Sequence, residues 1–137
     1  MDIFETTRIK LSNQGLRIDR YDLSRPWGEF FVLDENQAQA FADIYFSGTN
    51  AEELRKSGRL SPKILMVKPG VRLSWQYHER RAEIWRVVEG PVGIVRSATD
   101  DEGELVRFEA GETIVLDKGE RHRLIGLDGW GVVAEFW

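Results

Sequence analysis

Cysteine is absent from the 137 residues, and histidine and methionine occur only twice each. With no thiols the chain carries neither a disulfide framework nor a thiolate metal site, so any metal ion must be held by nitrogen and oxygen. No basic run is present either: 19 Lys and Arg are scattered among 23 Asp and Glu for a net charge of −4, which excludes a row of phosphate contacts and argues against a nucleic-acid partner. No apolar stretch approaches the roughly 20 residues that span a bilayer, and no charged-then-apolar leader precedes a small-residue cleavage site. These absences set the expectation of a cytoplasmic protein that engages neither membrane nor nucleic acid.

What remains is ordinary globular composition, 42% hydrophobic and 31% charged, enough to bury one core without staples. No linker or repeat divides the chain, so a single domain over 1–137 is expected. The amino-terminal third reads as sheet. Leu16, Ile18, Tyr21 and Leu23 suggest a strand from Gly15 to Leu23, and an aromatic-rich run from Trp27 to Leu33 follows Arg25-Pro26. The pattern then changes. Ala38, Phe41, Ile44 and Tyr45 recur at helical spacing, and Asn50 followed by Glu53 reads as an N-cap with a reciprocating glutamate. The spacing predicts two short helices joined at Ser47-Gly48-Thr49, with Gly58 as the C-cap of the second.

From Ser61 onward short strands are predicted at Lys63–Lys68, Arg72–Tyr77, Glu83–Glu89, Val92–Ser97, Glu104–Phe108, Thr113–Leu116, His122–Leu127 and Val132–Phe136. Turn signals such as Pro69-Gly70, Gly90-Pro91, Ala110-Gly111 and Asp128-Gly129 separate them. Many short strands at this spacing point to an antiparallel sandwich or closed barrel rather than a parallel α/β sheet.

Both histidines stand in telling settings. Gln76 and His78, two apart on a predicted strand, face the same side because side chains alternate. Glu83 can return on the next strand toward that side, and His122 follows Gly111 and Gly119. Here the chain resembles the cupin superfamily. The first cupin motif (glycine, five residues, His-x-His, three or four residues, glutamate, six residues, glycine) is met from Gly70 to Gly90, with Gln76 in place of the first histidine. The second is met by Gly111, Gly119 and His122, with Asp117 where a proline is expected and Gly126 where an asparagine is expected. Arg25-Pro26-Trp27-Gly28, Val67-Lys68-Pro69-Gly70, Leu73-Ser74-x-Gln76-x-His78, Arg81-Ala82-Glu83-x-Trp85 and His122-Arg123-Leu124 look like the isomerase domain of type II phosphomannose isomerases. The likeness covers roughly residues 25 to 35 and 61 to 137. It omits a helical insertion at about 36–60, and the nucleotidyltransferase domain of many type II members has no counterpart in this sequence.

The resemblance implies an all-β fold, a single cupin double-stranded antiparallel β-barrel (jelly roll) with a short helical insertion. It also implies one divalent ion held by Gln76, His78, Glu83 and His122. Two imidazoles, a carboxylate and an amide oxygen suit zinc first, and also manganese, iron, nickel or cobalt. The resemblance further implies a sugar-phosphate aldose–ketose isomerase of the mannose 6-phosphate/fructose 6-phosphate kind, in which the ion polarises a carbonyl and a base moves one proton between adjacent carbons through an enediolate. Glu135 is the base candidate, beside any other lumen-facing residue. Lys63, Arg81 and Arg123 are the cations available for phosphate or catalysis, while Arg81 and Arg123 equally read as orienting a metal carboxylate.

Trp75, Trp85 and Trp130 read as barrel core or dimer surface. The inserted helices are either a lid, which would bring Arg55 and Lys56 to the phosphate, or packing on the outside of the barrel. Two rival functions share these ligands: a metal-dependent cupin oxygenase on a small organic substrate, and a non-catalytic sugar-binding cupin. A homodimer is expected, because exposed strand edges need covering.

Overall fold

The computed structural model describes residues 2–55, 58–73, 83–117 and 119–136. Among these residues nine strands form two antiparallel sheets: β1 (Ile18–Arg25), β2 (Gly28–Leu33), β3 (Lys63–Val67), β4 (Glu83–Glu89), β5 (Val92–Ser97), β6 (Leu105–Phe108), β7 (Thr113–Leu116), β8 (Arg121–Gly126) and β9 (Gly131–Phe136). The larger sheet runs β1-β2-β3-β9-β4-β7 and the smaller β6-β5-β8. This is the cupin jelly roll, and from β3 onward the predicted strands match the observed ones to within a residue or so. Of the segment expected as a strand over Arg72–Tyr77, the amides of Leu73 and Gly126 bond to the carbonyls of Leu124 and Val71, and Arg72 bridges Ile125. That short stretch ties the end of β3 to the edge of the small sheet. Residues 74–77 lie outside the described part.

Alternation divides the interior in two. Odd-numbered residues of β3, β4 and β9 (Leu65, Val67, Trp85, Val87, Val133) meet Ile114 and Leu116 of β7 and Val92, Ile94 and Leu124 of the small sheet, which makes the barrel lumen. Even-numbered residues Ile64, Met66, Val132, Ala134 and Phe136 face the other way, together with Phe31 and Leu33. Helices cover that outer face. Phe41 and Phe46 lie 5.1 and 5.2 Å, centroid to centroid, from Phe136, a contact worth more than its area alone because of the ring quadrupoles.

The two inserted helices are present as α2 (Ala38–Tyr45) and α3 (Ala51–Leu54), with Asn50 accepting from the amides of Glu52 and Glu53 as a cap should. Three expectations are corrected. First, α3 ends at Leu54 with Arg55 as its cap, so Gly58 lies beyond the helix. Second, α2 buries Ala38, Phe41, Ala42 and Tyr45 and leaves Ile44 partly exposed, because the apolar stripe is centred on Phe41. Third, the amino-terminal segment is not all sheet: α1 (Ile3–Asn13) opens the chain, with the Asp2 carboxylate accepting from Glu5 N at 2.9 Å. Both inserted helices pack outside the barrel and not over the lumen. Arg55 is correspondingly paired with Glu35 and Glu52, and Lys56 lies outside the described residues.

Where β2 crosses β3, a Cβ on Gly28 would sit 1.9 Å from the Met66 carbonyl oxygen, and φ is +150°. Gly48, in the turn between α2 and α3, has φ +87° but open space around it. Gly28→Ala should therefore lower the unfolding free energy by about 2–4 kcal/mol, through a backbone clash in the main sheet. Gly48→Ala should cost only about 1 kcal/mol from the left-handed conformation. Urea denaturation of the two variants measures the difference, and equal losses would contradict the close approach.

Candidate metal and acid–base site

One end of the lumen is polar. β4 contributes Glu83 and Trp85, β9 contributes Glu135, β3 contributes Lys63 and β8 contributes His122. Register brings them together: Lys63 pairs with Glu135, and Glu135 with Trp85. Each of the five is therefore the lumen-facing member of its strand.

Glu83 and His122 form the first part of the site. His122 Nε2 lies 3.0 Å from Glu83 Oε2, and their side chains are 2% and 3% exposed. The other ring nitrogen, Nδ1, is 3.3 Å from the Glu120 carbonyl, and a carbonyl only accepts, so Nδ1 carries a hydrogen. Burial pushes the imidazole toward its neutral form. The close approach and negative charge of Glu83, then the Glu120 carbonyl and the charge of Glu135, outweigh it and leave the His122 pKa raised.

The second part is a carboxyl held by an indole. Trp85 Nε1 donates to Glu135 Oε2 at 2.7 Å, and Lys63 Nζ lies 3.9 Å from Oε1. Burial, followed by the charge of Glu83, pushes Glu135 up to about 7, against the lowering influence of Lys63, Trp85 and His122. A carboxyl whose affinity for a proton is raised in this way is suited both to take and to return one.

A nitrogen and a carboxylate oxygen converging where water is excluded are the donor pair that a first-row divalent ion accepts. Among the described residues no group of three or more His, Cys, Asp and Glu is placed to hold a metal. Glu83 and His122 are together, while Gln76, His78 and Arg81, on which the expected four-ligand set and one phosphate contact depend, lie outside the described residues.

The remaining predicted residues divide. Lys63 and Glu135 stand in the lumen as neighbours. Arg123 does not join them, because it follows His122 on the strand and so projects from the opposite face, where it pairs with Glu102. Trp85, which the Arg81-Ala82-Glu83-x-Trp85 motif includes and which reads as barrel core, is buried as expected, but nothing in its own stretch of sequence marks its bond to Glu135. Its partner is 50 residues away across β4 and β9, and only the register reveals the bond.

Residues 34–129 match the family described as mannose-6-phosphate isomerase C-terminal. The chain is similar to a mannose-1-phosphate guanylyltransferase of Salmonella montevideo, 27% identical over 85% of this chain and 19% of that protein. It spans no more than about a fifth of the length of the curated relatives it matches. Among solved structures it is similar to KdgF from a Halomonas species (TM-score 0.58, 16% identity, 85% of each chain). It is equally similar to Drosophila melanogaster CENP-C bound to CAL1 (TM-score 0.58, 12% identity, 86% of this chain and 74% of that one). At such identities the likeness is one of fold. Among the described residues no helix is long and apolar enough to cross a membrane.

The raised protonation of Glu135 and His122 makes a statement about stability. Both groups bind protons more tightly folded than unfolded, so their contribution is complete at low pH and is lost as pH rises through their folded values. For Glu135 the window runs from the ordinary carboxyl range to about 7, and the swing is on the order of 3 kcal/mol. The metal-free protein should lose stability between pH 5 and pH 8, and Glu135→Gln should flatten most of that slope. Urea midpoints of wild type and variant across this range, in chelator, provide the check.

Proposed function

Because the chain belongs to the mannose-6-phosphate isomerase C-terminal family, we propose that it is a metal-dependent aldose–ketose isomerase acting on a phosphorylated sugar of the mannose 6-phosphate/fructose 6-phosphate kind. The observation that carries this reading is the placing of Glu135: a buried carboxyl, held by the Trp85 indole and beside Lys63, in the same lumen as an imidazole–carboxylate pair.

In this reading Gln76, His78, Glu83 and His122 hold one divalent ion, zinc first among the candidates, which supplies Lewis-acid polarisation of the sugar carbonyl. The chain's own residues do the rest. Glu135 takes the proton from the carbon beside the carbonyl and returns it to the former carbonyl carbon, while the proton of the neighbouring hydroxyl passes to the former carbonyl oxygen. Trp85 holds Oε2 still and leaves Oε1 as the atom that exchanges the proton. Lys63, beside Oε1, favours the ionised state before abstraction and stands where a developing negative charge on the substrate would be offset. Arg81 is the remaining candidate for the phosphate. The apolar lumen walls of Leu65, Leu116 and Leu124 exclude water and keep Glu135 from resting as a fully ionised carboxylate. The proposal extends to a cytoplasmic homodimer that covers the edge strands β1 and β7, where Tyr21, Leu23 and Val115 are exposed.

The zinc-loaded protein should interconvert mannose 6-phosphate and fructose 6-phosphate and exchange deuterium from solvent into the substrate. Glu135→Gln should cut kcat by roughly 10²–10⁴, the usual worth of a general base, with the metal content unchanged. Metal-loaded wild type that neither turns over the phosphosugar nor incorporates deuterium would sink the reading.

A further inference from the structure

The turn that delivers His122 to the lumen lacks the proline expected at position 117. Proline fixes φ and stiffens a turn, whereas Asp117 has an amide hydrogen and an ordinary backbone freedom. The structure gives that hydrogen a use: Asp117 N donates to Glu120 Oε1 at 3.0 Å. The Glu120 carboxylate is in turn gripped by a guanidinium from another strand. Arg96 Nε donates to Oε2 at 3.0 Å and Nη2 to Oε1 at 2.8 Å, the two-pronged geometry in which arginine fixes a carboxylate most firmly. Arg96 Nη2 also donates to the Val115 carbonyl at 2.9 Å, just before the turn.

Arg96 is well placed for this. It is the direct cross-strand partner of His122 in the β5–β8 ladder, on the face that Val92 and Ile94 turn to the lumen. The last link is the Glu120 carbonyl, which accepts from His122 Nδ1. One arginine thus holds both the end of β7, at Val115, and Glu120 ahead of β8, and Glu120 fixes the imidazole by the nitrogen that points away from Glu83. With Nδ1 kept as the donor, Nε2 is the nitrogen left to ligate.

We propose that Arg96 and Glu120 form a clamp that replaces the missing proline and positions His122 Nε2 for metal binding. The inference deepens the isomerase reading and rests on it for the identity of the ion. Arg96 is a positioning residue, since it acts on the ion through Glu120 and His122. Its action is one of orientation: without the clamp, the Glu120 carbonyl loses its fixed place and Nδ1 loses the acceptor that sets the tilt of the ring.

The test uses the metal-free full chain, with Zn²⁺ and Mn²⁺ titrated against wild type, Arg96→Met and Glu120→Met. Two readouts accompany the affinity: thermal unfolding, which reports folding, and hydrogen exchange at the Asp117 amide, which reports the turn. Both variants should fold, lose the protection of the Asp117 amide relative to wild type, and bind metal on the order of tenfold to a hundredfold more weakly, as expected for a partner that orients a ligand. Glu120→Met nearly keeps the size of the side chain and removes both acceptor oxygens, so it separates loss of the clamp from loss of packing if Arg96→Met unfolds. Wild-type affinity in a folded variant overturns the clamp, and so does weaker binding with Asp117 protection intact. If wild type itself binds neither ion, the isomerase reading falls and exchange at Asp117 alone decides whether the clamp exists.

Discussion

Six consecutive residues of β9, Gly131–Phe136, are buried, and a strand with no solvent face must send alternate side chains into two separate cores. Val133 and Glu135 enter the lumen; Val132, Ala134 and Phe136 enter the layer beneath the helices. The site is a consequence of this geometry. A carboxyl at position 135 has apolar neighbours before and after it on the strand and two strands hydrogen-bonded to it on either side. It reaches solvent in neither direction, which is what keeps a proton on it far above the ordinary carboxyl range. The Trp85 and Lys63 contacts follow from the same strand's register with β4 and β3.

The outer layer has a matching role. Burying one face of a six-stranded sheet requires something apolar on the far side, and α1, α2 and α3 supply it through Leu11, Phe41, Phe46 and Ala51. Helices that look from their sequence like candidates for a lid are instead the reason the lumen can be polar at one end. They hold the sheet together from behind, so the front need not contribute all of the burial.

Much of this was legible in the sequence, for identifiable reasons. Strands from β3 onward could be bounded because Gly, Pro, Asn and Asp punctuate them at nearly every junction, and Glu83 and His122 stood out because two spaced motifs framed them. The opening helix was hidden because Ile3, Thr6, Thr7 and Ile9 are β-branched and make no helical stripe, with only Thr7 and Leu11 buried. Its one signal, Asp2 followed three residues later by Glu5, is a capping pattern. Arg123 was readable the other way: a residue next to a lumen-facing His122 on a strand must point out of the lumen. No local signal foretells Trp85 against Glu135 or Arg96 against Glu120, because these pairs are made by register between distant strands.

The Trp85 indole stands 5.4 Å from the His122 ring and nearly perpendicular to it. Seen as optics, this places a fluorophore beside a group whose charge changes with protonation and with metal binding. A protonated imidazole accepts an electron from an excited indole and darkens it; an imidazole engaged through its nitrogen lone pair does so less. Part of the emission of the five tryptophans therefore carries a record of what occupies the centre of the barrel, written by the protein's own residues without any added dye.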